Sequence, residues 1–287
     1  MPWDISQKTI LITGGTDGIG KAMVSGLALT GATVVFTARD GEKGEKVKRE
    51  IAAETNNKNI AYLICDLASF SSIRACAREF TERWEKLDVL IHNAGVLPQG
   101  RQESKDGIEL NFAVNFLAPF LLTNLLLPLL KQSAPSRIIN VSSSMYKEGE
   151  INFDDLESKK HFDKYKAYAQ AKLALLLFTK KLAKDLQGSG VTVNALHPGI
   201  VGTEITMQNV RTMNPIAAFI FKRTFITPEQ GAQTSIYLAT SPEVANVSDK
   251  YFVNCRQTKT TAAAEDEASA ERLLTLAKGQ YLAPYLL

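Results

Sequence analysis

The stretch Thr13-Gly14-Gly15-Thr16-Asp17-Gly18-Ile19-Gly20 decides how this chain folds. It joins an apolar run, Thr9-Ile10-Leu11-Ile12, to an amphipathic segment at 18–30, so the pattern predicts a strand, a tight turn and a helix. Glycines allow the tight turn, and they let the backbone N–H groups that open the helix approach a phosphate, which the helix dipole favours. Such a turn can simply connect two elements without binding a ligand. However, the turn between the first strand and the first helix is where an open α/β sheet binds a dinucleotide.

The same alternation of strand and helix continues along the chain. The further β-branched runs lack the apolar/polar alternation of a one-sided sheet, as expected for parallel strands that are buried on both faces. With a last strand at Tyr251-Phe252-Val253, the sequence predicts an α/β fold, a doubly wound parallel sheet of about seven strands with helices on both faces. The other predicted strands lie at Thr33-Val34-Val35-Phe36, Ile60-Ala61-Tyr62-Leu63-Ile64, Val89-Leu90-Ile91, Arg137-Ile138-Ile139-Asn140-Val141 and Val191-Thr192-Val193-Asn194, and the predicted helices lie at 18–30, 41–54, 69–85, 104–131, 163–188 and 228–240.

The chain is organised as one domain in this interpretation. Its 287 residues, 45% of them hydrophobic, suffice for one large α/β domain or two small ones, and no linker or repeat interrupts the alternation. We therefore predict a single domain over 1–287. The segment 203–226 fits neither a sheet strand nor a long helix, which predicts an inserted substrate lid, and the Ala/Glu/Leu-rich stretch from Ala262 to Lys278 predicts a terminal helix.

Charge and cysteine content exclude several classes of protein. The excess of basic over acidic residues is 33 − 30 = +3, and the basic residues are scattered, so nucleic-acid binding is not expected. The three cysteines, Cys65, Cys76 and Cys255, contain no Cys-x-x-Cys pair, which supports neither a disulfide framework nor a metal site. A reducing compartment fits this cysteine content best.

The ends and the apolar windows of the sequence predict a cytoplasmic location. The start, MPWDIS, carries an acid and no apolar stretch, so we expect no secretory signal. The most apolar window, Phe116 to Leu130, spans 15 residues and contains two prolines. A membrane span needs roughly 20 residues. We therefore expect a buried helix there and no transmembrane segment.

The spacing of the glycine turn resembles the Thr-Gly-x-x-x-Gly-x-Gly turn of the short-chain dehydrogenase/reductase family. The resemblance covers about residues 7–255 and rests on several motifs that stand in the family's order. It implies a Rossmann-type fold and an enzyme that uses a nicotinamide dinucleotide. The residues that would bind the dinucleotide at this turn are Gly14, Thr16, Asp17, Gly18, Ile19 and Gly20.

Further motifs of the family predict the rest of the cofactor groove. Arg39 follows the second strand where NAD enzymes usually carry an acid, so the sequence favours NADP(H) with Arg39 on the 2′-phosphate. A solvated surface arginine beside Asp40 is the alternative. His92 stands where the family has asparagine, and it fits a satisfied strand-end histidine better than a catalyst. The remaining predicted cofactor ligands are Asp66, Leu67, Asn93, Ala94, Gly95, Pro198, Gly199, Ile200 and Thr203, together with Tyr168 and Lys172.

Four residues match the family's catalytic positions. Tyr168 and Lys172 stand four residues apart on a predicted helix, so they share one face, and the lysine ammonium should favour the phenolate of the tyrosine. Tyr168 would then pass a proton to or from a substrate oxygen while a hydride moves. The resemblance implies that Ser143 polarises the carbonyl and that Asn115 supports the lysine. Ser143 alone could equally be part of a serine-rich turn.

The stretch between the serine and the tyrosine points to a branch of the family and to a substrate. Ser143 and Tyr168 are 25 positions apart, more than in many members, as in the retinol dehydrogenase-like branch. We expect the lid to present apolar side chains opposite Met145 and Tyr146, which favours a hydrophobic carbonyl or alcohol such as a retinoid, a steroid or an aromatic carbonyl. Packing of the lid on the sheet rim or a second subunit is the alternative. The apolar lid residues are Ile216, Phe219, Ile220, Phe221 and Phe225.

The sequence is also compatible with two other functions and with a dimeric assembly. A catalytically silent dinucleotide-binding regulator would keep the fold without turnover. A peripheral membrane enzyme acting on lipids would use the apolar lid with Lys222-Arg223, although the N-terminal anchor common in this branch is not found in the sequence. The resemblance also implies a homodimer through the Asn115 and Tyr168 helices, unless the extra residues at 145–165 cover the same face.

Overall fold

Eight strands form one sheet in the computed structural model, which describes residues 3–202, 207, 210, 214 and 224–286. The strand order is β3-β2-β1-β4-β5-β6-β7-β8, and all neighbours are parallel except β7 and β8. After β3 the chain crosses to the other side of β1 and adds β4 there, so the strand order switches between β1 and β4, which confirms the doubly wound α/β fold. The strands are β1 Thr9–Ile12, β2 Thr33–Ala38, β3 Ile60–Ile64, β4 Val89–His92, β5 Ser136–Val141, β6 Val191–His197, β7 Lys250–Val253 and β8 Arg256–Thr258.

Helices on both faces connect these strands. Five of the seven predicted helices begin and end within three residues of the expected bounds, but the fourth begins at Leu110 instead of 104 and the terminal helix begins at Glu267 instead of Ala262. The start of the fourth helix is fixed by Glu109, whose carboxylate accepts from the amides of Asn111 and Phe112 over 2.9 and 2.8 Å. The helices are α1 Gly18–Ala28, α2 Gly41–Thr55, α3 Phe70–Arg83, α4 Leu110–Gln132, α5 Lys164–Asp185, α6 Pro228–Thr240 and α7 Glu267–Leu276.

The sheet separates two hydrophobic cores. Because successive strand residues point to opposite faces, Leu11 packs in one core and Ile10 and Ile12 pack in the other. The first core contains side chains of α3, α4, α5 and α7, and the second contains those of α1, α2 and α6. The helix that carries Tyr168 and the helix that follows the glycine turn therefore belong to different layers of the molecule.

Helix α4 is longer than the sequence window predicts. It spans 23 residues, with a π-helical turn at Ala113–Leu117, and is long and apolar enough to cross a membrane. However, 72% of its most apolar window is buried inside the protein. A core helix of a soluble protein has these properties, and the leucines and phenylalanines of α4 pack in the first core.

The chain's own C-terminal segment covers helix α5. Residues 169–179 are buried on every side, because β6, the π-helical turn, a 3₁₀ helix at Ser144–Glu148 and α7 all pack against this helix. The homodimer implied by the family resemblance needs an open outer face on α5. Pairing through that face would require α7 to move away, which argues against the implied homodimer.

The eighth strand is absent from the sequence-based prediction. It pairs with β7 in a hairpin whose two central residues, Asn254 and Cys255, have φ angles of 49° and 60°. A two-residue hairpin turn of this kind usually carries glycine in its second position. Asn-Cys lacks that signal, so the sequence pattern did not reveal the turn.

Candidate active site

A cleft of ≈ 850 Å³ lies at the edge of the sheet where the parallel strands end. Residues that directly follow six of the strands line it, as expected of ligand sites in open α/β sheets. One predicted site residue, Asn115, is buried behind its wall, and another, Thr203, lies outside the described residues. The predicted residues that line the cleft are Gly14, Thr16, Asp17, Gly18, Ile19, Gly20, Arg39, Asp66, Leu67, Asn93, Ala94, Gly95, Ser143, Tyr168, Lys172, Pro198, Gly199 and Ile200.

The glycine turn between β1 and α1 forms one end of the cleft. Gly14 has a φ angle of 70°, and its amide donates to Thr37 Oγ1 over 2.9 Å. A Cβ at Gly20 would lie 1.9 Å from the carbonyl oxygen of Gly14, so only glycine fits there. Asp17 caps α1 by accepting from the Gly18 amide over 2.8 Å. The first turn of α1 therefore opens into the cleft, as in sites that bind a pyrophosphate.

Asn93 holds this turn against the end of β4. Its Nδ2 donates to the carbonyl oxygens of Thr13 and Gly14 over 2.9 and 3.1 Å, and its amide donates to Thr13 Oγ1 over 3.0 Å. A Cβ at Gly14 would lie 2.9 Å from the Cβ of Ala94, so the two turns are in direct contact. Asn93 thus fixes the shape of the glycine turn by binding the carbonyl groups of that turn.

Two cationic side chains stand where β2 ends. Arg39 is exposed and lines the cleft, while Asp40 caps α2 by accepting from the Lys43 amide over 2.7 Å. Lys43 also lines the cleft, and its Nζ lies 3.3 Å from Asp17 Oδ2. The sequence-based prediction missed Lys43, although its position four residues after Arg39 at the start of a predicted helix was a usable signal.

Asp66 lies at the end of β3 beside a third cation. Lys105 Nζ is 2.9 Å from its Oδ2, and the Ala68 amide donates to its Oδ1 over 3.0 Å. Partial burial raises the pKa of Asp66, but the bonds from Lys105 and Ala68 outweigh burial and hold the pKa below its usual value. The carboxylate is therefore a charged acceptor on the cleft wall.

Tyr168 and Lys172 face the cleft from the first half of α5. Lys172 is buried, its Nζ lies 5.6 Å from the centre of the Tyr168 ring, and it donates to the carbonyl oxygen of Val141 over 3.0 Å. Ser143 follows β5, and its Oγ accepts from the Met145 amide over 3.3 Å. A phenol, a hydroxyl and an ammonium are thus grouped at one place, as proton transfer to a substrate oxygen requires.

The ionisation of this group differs from the sequence-based expectation. Burial raises the pKa of Tyr168 to about 12, and a hydrogen bond with Ser143 offsets part of this effect. Burial also lowers the pKa of Lys172 to about 8. In the chain alone, desolvation therefore outweighs the expected stabilisation of the phenolate by the ammonium, and Tyr168 is held as a neutral phenol.

Asn115 sits in the π-helical turn of α4 and binds one peptide unit of the cleft wall. Its Oδ1 accepts from the Val96 amide and its Nδ2 donates to the Val96 carbonyl oxygen, both over 2.9 Å. A Cβ at Gly95 would lie 2.9 Å from Asn115 Oδ1 and 3.5 Å from Lys172 Nζ. Gly95 therefore allows the asparagine, the lysine and the wall to approach one another.

Comparison with known proteins decides the family. The model of the short chain dehydrogenase family matches residues 8–214, which include the glycine turn and the grouped serine, tyrosine and lysine. This chain belongs to the short-chain dehydrogenase family. It is therefore an oxidoreductase that uses a nicotinamide dinucleotide.

The short-chain dehydrogenases most similar to this one include named retinol dehydrogenases. Retinol dehydrogenase 14 of Homo sapiens is 45% identical over 281 residues, which cover 93% of this chain and 84% of the relative. Retinol dehydrogenase 13 of Mus musculus is 45% identical over 276 residues, covering 94% and 83%. The solved NADP active-site complex of RhlG from Pseudomonas aeruginosa is similar with a TM-score of 0.71 and 26% identity over 88% of this chain and 96% of that one. The resemblance to the retinol dehydrogenase-like branch is confirmed.

The cleft of this short-chain dehydrogenase fits the dinucleotide that its family uses. Gly14, Gly20 and Gly95 on the cleft wall each lack room for a Cβ beside the protein atoms behind them, so close packing of backbone shapes this part of the wall. The N-terminus of α1 and the buried Lys172 supply positive electrostatic potential along the same wall. Among the residues that the structure describes, no cluster of three or more His, Cys, Asp or Glu side chains could hold a metal ion.

At the substrate end of the cleft, the expected role of Tyr146 needs revision and the lid stays a prediction. Met145 lines the cleft, but Tyr146 is fully buried and packs edge-on against Tyr251 with ring centres 5.2 Å apart, so it forms no pocket wall. Most of the lid at 203–226 lies outside the described residues. Its ends meet in a short parallel bridge between Val201 and Ile226, as an inserted loop requires.

His92 is a buried structural residue of the dehydrogenase. Its Nε2 is 2.8 Å from Thr123 Oγ1, and burial lowers its pKa to about 3. The ring lies at the end of β4 and is not on the cleft wall. The interpretation of His92 as a satisfied strand-end histidine agrees with these contacts.

Proposed function

We propose that this dehydrogenase interconverts a carbonyl and an alcohol on a hydrophobic substrate with NADP(H), and that retinoids are the leading substrate class. The named relatives are retinol dehydrogenases. The apolar side chains of Leu97, Leu110, Val114 and Met145 line the same cleft as Tyr168. Such a wall gains about 25 cal/mol for each Å² of apolar substrate that it covers. A steroid or an aromatic carbonyl is the next candidate.

The grouping of Ser143, Tyr168 and Lys172 is the observation that carries this proposal. The dinucleotide, when bound, supplies or accepts the hydride. In reduction, the Tyr168 hydroxyl donates its proton to the substrate oxygen, and the Ser143 hydroxyl donates a hydrogen bond to the same oxygen. The Lys172 ammonium then stabilises the phenolate that remains. The neutral phenol of the chain alone is suited to this direction.

Support for the lysine comes from Asn115. Through its two bonds to Val96, it holds the wall that passes between α4 and Lys172. Asn115 would thus keep the lysine in place beside Tyr168 without contacting the substrate.

The cofactor assignment extends along the cleft from the lysine to the end of β2. Lys172 and Tyr168 would contact the ribose next to the nicotinamide, and the first turn of α1 would bind the pyrophosphate. Arg39, with Lys43, would bind the 2′-phosphate that distinguishes NADP(H) from NAD(H). The other ligands in this proposal are Asp66, Leu67, Asn93, Ala94, Gly95, Pro198, Gly199, Ile200 and Thr203.

The test compares two tyrosines of the same cleft. Tyr168→Phe keeps the ring and removes the proton, so turnover of retinaldehyde with NADPH should fall by about 10²-fold or more while NADPH binding is retained. The matched control is Tyr165→Phe, because Tyr165 lines the cleft one turn earlier and is 46% exposed. Near-full turnover in Tyr168→Phe would refute the mechanism.

The substrate and the alternatives are resolved by a panel assay. Retinaldehyde, a steroid ketone, an aromatic aldehyde and a small aldehyde would each be tested with NADPH and NADH. NADPH binding without turnover of any of them would favour the silent regulator. Flotation with liposomes, or retention on membranes after a carbonate wash, would favour the peripheral membrane enzyme over the cytoplasmic enzyme that we propose, a single domain with a lid at 203–226.

A further inference from the structure

His197 joins the end of β6 to the turn that carries Ser143. It is the last residue of β6 and stands directly before Pro198, on the wall of the cleft. Its Nδ1 accepts a hydrogen bond from the amide of Ser144 over 3.3 Å. None of the roles described above uses this side chain.

The bond to Ser144 determines where the ring carries its proton. A peptide N–H can only donate, so Nδ1 must be the unprotonated nitrogen and the proton of the neutral ring must be on Nε2. The charged ring would have a proton on both nitrogens and would place two donors face to face. The contact therefore requires the neutral ring.

The surroundings of the ring favour the neutral form as well. Burial, together with the ammonium of Lys147 on the same short helix as Ser144, lowers the pKa of His197 to about 4. The ring is thus a stable hydrogen-bond acceptor at neutral pH.

Ser143 depends on the segment that His197 holds. Its backbone is extended, with φ −152°, and it caps the 3₁₀ helix Ser144–Glu148 by accepting from the Met145 amide over 3.3 Å. The amide between these two contacts, that of Ser144, is the one bound to His197. The ring therefore fixes the first peptide unit after the serine, and with it the direction of the serine hydroxyl.

We propose that His197 is a positioning residue for the reaction: by accepting from the Ser144 amide through Nδ1, it keeps the Ser143 hydroxyl directed at the substrate oxygen beside Tyr168. This inference rests on the proposed role of Ser143. A hydroxyl that is only slightly misplaced loses much of its effect on the transition state.

The first test removes the acceptor and then restores it. His197→Leu should lower kcat by about 10-fold, with the dissociation constant of NADPH unchanged. His197→Asn places an oxygen where Nδ1 stands, so it should recover kcat to within about threefold of the parent. Equal losses in both variants, or a fall in NADPH affinity alone, would overturn the proposal.

The second test asks whether His197 acts through Ser143. In a Ser143→Ala background, His197→Leu should cause almost no further loss of kcat, because the group that the histidine positions is gone. Full additivity of the two losses would refute the inference while leaving the function intact. Full activity of Tyr168→Phe would instead refute the proposed function. A further readout is ¹⁵N NMR of the imidazole at pH 7, where an unprotonated Nδ1 supports the proposal and a protonated Nδ1 contradicts it.

Discussion

The choice of cofactor is a property of two side chains, Arg39 and Lys43. Both line the cleft after β2, and Asp40 is engaged in capping α2. We expect NADPH to bind at least ~10-fold more tightly than NADH, a difference of about 1.4 kcal/mol. Arg39→Asp should erase or invert this preference, whereas Arg49→Asp, on helix α2 with Lys43 but outside the cleft, should leave it unchanged. Fluorescence titration measures both affinities, and equal values in the parent protein would contradict the assignment.

The charge of Lys172 gives the cofactor affinity a pH dependence. Burial lowers the pKa of its ammonium from 10.5 to about 8, so the group is charged below that pH and neutral above it. If the ammonium binds the dinucleotide, the dissociation constant of NADPH should be constant below pH 8 and rise about tenfold per pH unit above it. Lys172→Arg keeps its charge throughout and should remove the break. A parent profile that is flat from pH 6 to pH 9.5 would argue against this role.

The sequence located most of the site residues but not all of their contacts. Gly14, Ser143 and Tyr168 stand in motifs whose spacing fixes their place on a strand end or a helix, so their presence on the cleft could be predicted. Tyr146 shows the limit, because its position next to the serine did not reveal that the ring turns into the core against Tyr251. The contact between His197 and Ser144 joins residues 53 positions apart, and no local pattern indicates it.

At the scale of elements, Gln170 attaches the long segment after Ser143 to the catalytic helix. Its Oε1 accepts from the Asn152 amide over 2.8 Å, and its Nε2 donates to the Leu156 carbonyl oxygen over 2.9 Å. Gln170→Leu should reduce the free energy of unfolding by about 2 kcal/mol, since two buried bonds are lost. The control is Gln187→Leu, an exposed glutamine beyond the same helix. Chemical denaturation compares the two, and equal stabilities would show that the segment is held by other contacts.

Helices were predictable from their amphipathic period, and the parallel strands from short apolar runs rich in β-branched residues. The start of α4 was not, because it depends on the Glu109 cap, which a buried carboxylate forms within the fold. Strand β8 has only three residues, all exposed, and carries no apolar pattern that could predict it.

For the whole molecule, the cover over α5 determines the expected state of association. Leu273 of α7 is fully buried in the first core, and residues 169–179 of α5 leave no face open to a second subunit. We expect the full chain to sediment as a monomer of 31.5 kDa at micromolar concentration. Leu273→Arg should expose the α5 face and cause association. Sedimentation of the parent at twice the monomer mass would show that another surface, or a displaced α7, forms a dimer.

The division of the interior into two cores has a thermodynamic consequence for ligand binding. The cleft is bounded by α1, which belongs to one core, and by α5, which belongs to the other. A dinucleotide that contacts both layers can bind only when both are folded. Its binding free energy therefore increases the free energy of unfolding of either layer. At a concentration of 100 times its dissociation constant, this linkage contributes about 2.7 kcal/mol. Saturation with the dinucleotide would thus make the two layers melt as one cooperative unit, even where a substitution had weakened only one of them.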